Sequence, residues 1–93
     1  MQFEEFNKTV GSTPPPSLNN YALSLWHDAT GNWEKAHHIV QDLPGETAAW
    51  IHAYLHRKEG DEGNASYWYQ RAGKKIPAYS LEQEWEEIVK AVL

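Results

Sequence analysis

Apolar positions recur with the helical period in five stretches of the chain, each closed by a turn signal. Tyr21, Leu25 and Asp28 keep helical spacing, and Ala22, Leu23 and Trp26 widen that face, which predicts a first helix from Leu18 to Thr30 with Ser17 as its N-cap. Gly31 ends it, and Asn32 caps a second helix, Trp33 to Asp42, on which Trp33, Ala36, Ile39, Val40 and Leu43 follow the period. Leu43-Pro44-Gly45 then breaks the chain. A third helix is expected from Glu46 to Glu59, where Trp50, Ile51, Ala53, Tyr54 and Leu55 are apolar around so much of the circumference that it must be covered on two sides. Gly60 stops it, and Asp61 caps a fourth helix with Ala65, Trp68, Tyr69 and Ala72 inward, ended by Gly73. Ser80-Leu81-Glu82-Gln83 has the form of a capping box and opens a fifth helix. Its apolar stripe is Leu81, Trp85, Ile88, Val89 and Val92, and Glu82, Glu84, Glu86 and Glu87 read as its solvated face.

Two of these units are alike. Gly31, Asn32 and Ala36 recur as Gly60, Asp61 and Ala65, all at an offset of 29 residues. Self-similarity at a fixed period marks a repeat architecture. The expected fold class is therefore all-α, with two antiparallel helical hairpins and a C-terminal capping helix forming one domain over residues 18–93. Residues 1–17 lack sustained periodicity, and Pro14-Pro15-Pro16 removes three backbone donors, so this segment reads as a flexible N-terminal arm. Its alternative is one amphipathic turn, built on Phe3 and Phe6, that docks on the body.

Composition narrows the function classes. A chain of 93 residues needs a core dense in large side chains, and five Trp, five Tyr and two Phe supply it. Cysteine is absent, which removes disulfides and thiolate metal sites and fits a reducing cytoplasm. No apolar run approaches the length of about 18 residues needed to span a bilayer, so no membrane partner is expected. A net charge of −5 repels phosphate backbones, so no nucleic-acid partner is expected either.

From Gly60-Asp61 to Pro77 the chain resembles tetratricopeptide repeats and, over Ala65-Ser66-Tyr67-Trp68-Tyr69-Gln70-Arg71-Ala72-Gly73, the related Sel1-like repeats. Ala53, Gly60, Asp61, Ala65, Tyr69, Ala72 and Pro77 carry the match, and Ser24, Gly31, Asn32 and Ala36 carry it in the first unit. Leu43 departs from the pattern, and the offset of 29 residues is shorter than the repeat of about 34. WIHAYLHRKEGD and NASYWYQRAG also resemble segments of small bacterial proteins. The resemblance implies a right-handed α-α superhelix and a non-enzymatic module that binds a protein or peptide along the first helix of each hairpin. Carried onto this chain, that surface presents Tyr21, Leu25, Asp28, Trp50, Tyr54, Arg57 and Lys58, with a homodimer as another use of it. Its other face in the expectation is that Trp50 and Tyr54 are simply covered by the arm or the last helix.

A second reading comes from histidine spacing. His52 and His56 are one helical turn apart and Glu59 follows, which puts two imidazoles and a carboxylate along one face, a ligand set suited to zinc or iron. His27 stands at the place of His56 in the first unit, so His27, His52, His56 and Glu59 form the candidate metal set, with His37 or His38 as further members. Hydrogen-bonded core histidines are the plainer account of the same residues. The Glu of a His-Glu-x-x-His zincin is missing, as are a phosphate-binding loop, a Gly-x-Ser-x-Gly elbow and a nucleophilic cysteine. No catalytic residue and no cofactor are assigned on these grounds.

Overall fold

Both turns singled out by the repeat close the same backbone motif. In the computed structural model, which describes residues 1–93, Gly31 and Gly60 are left-handed, at φ 89° and 86°. The Asn32 amide donates to the His27 carbonyl at 2.9 Å, and the Asp61 amide donates to the His56 carbonyl at the same distance. These bonds satisfy the last carbonyls of a helix when the residue beyond it is left-handed, a conformation glycine takes without steric cost. The following side chain starts the next helix: Asn32 accepts from the Lys35 amide and Asp61 from the Asn64 amide, each at 3.2 Å.

The chain forms α1 (Phe3–Thr9), α2 (Asn20–Ala29), α3 (Trp33–Gln41), α4 (Gly45–Glu59), α5 (Glu62–Ala72) and α6 (Leu81–Val92). The expected all-α class is what forms, with one helix more than the five read from periodicity. Helices α2 and α3 pair as one hairpin and α4 and α5 as the other, α3 packs on α4, and α6 lies against both α2 and α4. Small residues permit the close crossings. Ser24 and Ala36 are buried where α2 meets α3, and the Ser24 hydroxyl donates to the Ala36 carbonyl at 2.8 Å; Ala53 and Ala65 are buried at the matching places of the second hairpin. No helix is long and apolar enough to cross a membrane.

Three local expectations are corrected. The cap of α2 is Asn19, not Ser17: its side-chain oxygen accepts from the Ala22 amide at 2.9 Å while its side-chain amide donates to the Val92 carbonyl at 2.8 Å. One residue thus starts α2 and ties it to the end of α6. The segment expected as an arm contains α1, and Phe6 is fully buried. Phe6 and Phe3 pack on Trp85 of α6 at ring-centroid distances of 5.9 and 5.7 Å, and the Trp26 indole donates to the Thr9 hydroxyl at 3.1 Å. Those aromatic contacts bury surface that a solvated arm would leave in water.

Glu84 is the third correction, being 0% exposed rather than part of a solvated face. Its carboxylate accepts from the Trp50 indole at 3.2 Å, from Arg57 at 2.9 Å and from the Tyr69 hydroxyl at 2.7 and 2.8 Å. Arg57 also donates to the Tyr79 carbonyl. A buried carboxylate is tolerated only when paired and hydrogen-bonded in this way. Glu84 falls on the helical stripe of Leu81 and Ile88, so α6 seals α4 with a charge inside its apolar face.

Candidate metal centre

Three imidazoles meet where α3 packs on α4. His37 comes from α3, and His52 and His56 come from successive turns of α4. A nitrogen of each ring lies within 4.8 Å of a nitrogen of the others, and the Nε2 atoms of His37 and His52 are 2.9 Å apart. His52 and His56 are buried, at 7% and 8% exposure, and His37 is half-buried at the edge of the group.

Aromatic stacking fixes the rings. Trp33 lies parallel to His37 at 4.9 Å, Trp68 of α5 lies on His52 at 4.0 Å, and His52 and His56 stack at 4.9 Å. Trp33 is itself anchored, since its indole donates to the Leu55 carbonyl of α4 at 2.8 Å. Three helices and two tryptophans therefore hold the histidines, which restricts the ring rotations that a lone surface imidazole would explore.

Glu59 lies outside the three-histidine group and closes with His56 and Asp61 instead. Its carboxylate is 2.6 Å from Nδ1 of His56, so it fixes that ring and leaves Nε2 as the free nitrogen. A carboxylate on the far nitrogen is the usual support for a metal-binding histidine, since it sets the tautomer and raises ligand basicity. Asp61 approaches His56 and Glu59 in a second close group, on the exposed turn that begins α5.

The electrostatics favour the neutral form of His37 and His52. Burial first, and then the neighbouring His37 and His56, pull the His52 pKa from 6.5 down to about 4. His37 is lowered for the same reasons, burial leading and His56 next, with Glu59 opposing. Neutral imidazoles are the form that offers a lone pair to a metal ion.

His27 stays outside. Its ring is edge-on to Trp26 at 5.1 Å, and it belongs to neither close group of donor side chains. Its pKa is lowered by burial and then by the charge of Lys35. The repeat offset paired His27 with His56 because both end the first helix of a hairpin, whereas the cluster forms between hairpins, where α3 brings His37. His38 is exposed on α3 beside Gln41 and takes no part.

The residues expected on an open binding surface are placed differently. Leu25, Asp28, Trp50 and Tyr54 are buried, Tyr21 and Arg57 are half-buried, and only Lys58 among them is exposed. Trp50 lies between Glu84 of α6 and the Lys74 ammonium, which is 4.1 Å from its ring centroid. Asp28 accepts from the Tyr54 hydroxyl at 2.7 Å and from Lys58 at 2.9 Å; burial and then the Asp28 charge raise the Tyr54 pKa well above its ordinary range. Asp28, Tyr54 and Lys58 still share an opening of about 620 Å³ with Phe3, Val10 and Trp85. No protein-family model, curated protein or solved structure matches this chain.

Proposed function

We propose that this chain is a metal-binding helical domain whose donors are His37, His52 and His56, and that it takes a divalent transition ion of the zinc class. The carrying observation is the convergence of three histidine nitrogens within 4.8 Å, one of them backed by a carboxylate. Zn–N bonds of about 2.0–2.1 Å place tetrahedral donors ~3.3 Å apart. The 2.9 Å between His37 and His52 must therefore open by a few tenths of an ångström, and His56 already lies within 4.8 Å of both. Imidazole donors favour zinc, copper, nickel and cobalt, whereas calcium and magnesium require oxygen. Three protein donors leave a position for water or an outside ligand on the side where His37 and Trp33 are only half-buried. With Glu59 committed to His56 and Asp61 to the amide groups of Asn64, the reading is of binding rather than of hydrolysis.

The test is titration with Co²⁺, whose visible spectrum reports nitrogen coordination, followed by displacement with Zn²⁺. The intact protein is expected to bind one equivalent, and the His37→Ala and His52→Ala variants to lose at least tenfold in affinity. His27→Ala is expected to bind as the parent does. Uptake that persists in the His37 and His52 variants, or none in the folded parent, would overturn the reading.

A further inference from the structure

The opening between α1 and α6 has a chemical character of its own. Its volume is about 620 Å³, within the ~300–1,000 Å³ of ligand-binding clefts. Phe3 of α1 and Val10 just beyond its end form one wall, and Leu81 and Trp85 of α6 form the other. Asp28 lies at its base, bound to Tyr54 and Lys58, and Glu82 and Glu86 stand on its rim. Three carboxylates therefore stand around the opening with two ammonium groups, Lys58 engaged by Asp28 and Lys90 engaged by Glu86 beside the Phe3 ring, which leaves Glu82 as the carboxylate without a cation.

The same rim continues outward. A second depression, of about 460 Å³, shares Glu82 and Glu86 with the first and adds Glu87, with no apolar residue in its lining. Its one cation, Lys90, is bound to Glu86 at 2.7 Å. Glu82 and Glu86 thus form an acidic ridge, with an apolar cleft on one side and a polar trough on the other. An occupant matched to this profile has apolar side chains for the cleft and cations for the ridge. A net charge of −5 disfavours a second copy of the chain and any phosphate-rich partner.

We propose that this cleft and ridge bind a basic peptide segment of a partner protein, with an aromatic or aliphatic side chain against Phe3, Val10 and Leu81 beside the Phe3–Trp85 contact and neighbouring Arg or Lys side chains on Glu82 and Glu86. The site is independent of the histidine cluster. It keeps Asp28, Tyr54 and Lys58 from the surface expected of a helical-repeat module and replaces the buried Trp50 with the α1–α6 wall.

The experiment is fluorescence anisotropy with a labelled hexapeptide alternating Arg and Phe, at about 0.1 M salt, where surface charges still act over ~10 Å. Binding is expected for this peptide, and a loss of at least tenfold is expected both for the Glu82→Lys/Glu86→Lys protein and for a peptide with Ser in place of Phe. The Glu34→Lys/Glu62→Lys protein, which carries the same change of charge on α3 and α5, is expected to bind within twofold of the parent. Circular dichroism of both proteins is the control, with helix content equal to that of the parent expected. Equal loss in the two charge variants would show diffuse attraction and overturn the site, as would binding indifferent to the Phe residues. A dimer that dissociates in the Glu82→Lys/Glu86→Lys protein would put a second copy in the cleft and overturn the peptide.

Discussion

His37 and His52 face each other Nε2 to Nε2 at 2.9 Å across the α3–α4 interface. Only one proton fits between two such nitrogens, so one ring donates and the other accepts, and a second proton would set two N–H groups against each other. In the metal-free state the pair is a hydrogen bond between neutral rings. On the proposed reading a metal ion would take the place of that proton, with the hydrogen of the donor ring moved to Nδ1. The contact serves the packing of α3 on α4, and under the proposed function the same two nitrogens would hold the ion.

Acid should weaken the metal-free fold through His52. Its pKa is about 4 in the folded chain against an ordinary value of 6.5, so between these values the unfolded chain holds a proton that the folded chain does not. Stability is full above pH 6.5, falls as pH is lowered through that window, and gains no further loss from this group below about 4. Urea unfolding at pH 7 and pH 5 should show a larger difference for the parent than for His52→Gln. Equal differences would remove His52 as the source.

Glu84 should be among the costliest single sites outside the cluster. Removing one member of a buried, hydrogen-bonded charge pair costs about 3–5 kcal/mol, because the partners are left unpaired. Arg57, Tyr69 and Trp50 would all lose their acceptor. Chemical denaturation of Glu84→Ala should show a loss near the lower end of that range, since Arg57 retains some access to water. Glu84→Gln, which keeps the shape and one acceptor, should recover part of it. A loss under 1 kcal/mol for Glu84→Ala would contradict the network.

Docking of α1 can be read in Phe6. Burial of this ring against Trp85 predicts a cost of about 3–5 kcal/mol for Phe6→Ala. The emission of the Trp85 indole should also shift to the red as its cover loosens. An unchanged midpoint and spectrum would return residues 1–17 to the status of a solvated arm.

Local signals were legible in the sequence and long-range ones were not. Gly31-Asn32 and Gly60-Asp61 announce their turns because the left-handed residue, the cap and the bonds they make all lie within a few positions. The hairpins and the all-α class follow from them. Glu84 was misread because its charge outweighed its register, although it lies three residues after Leu81 and four before Ile88. Phe6 gave too short a pattern, ahead of three prolines, to reveal that Trp85, 79 residues later, would cover it. For the histidines, the repeat pointed to equivalent places in two hairpins, His27 and His56, while a site between hairpins draws on different places, His37 and His56. The pair at one-turn spacing, His52 and His56, is readable in the sequence; His37 is there only one of two further members, and the packing of α3 on α4 selects it over His38.

The most direct measurement is elemental analysis of the purified, untagged protein after exposure to zinc and removal of excess ion, made on the parent and on the His37→Ala/His52→Ala and His27→Ala variants. The account predicts close to one zinc per chain in the parent and in His27→Ala, and none in the double variant. Parent protein free of zinc while fully folded, or a double variant that retains it, would contradict the histidine cluster as a metal centre.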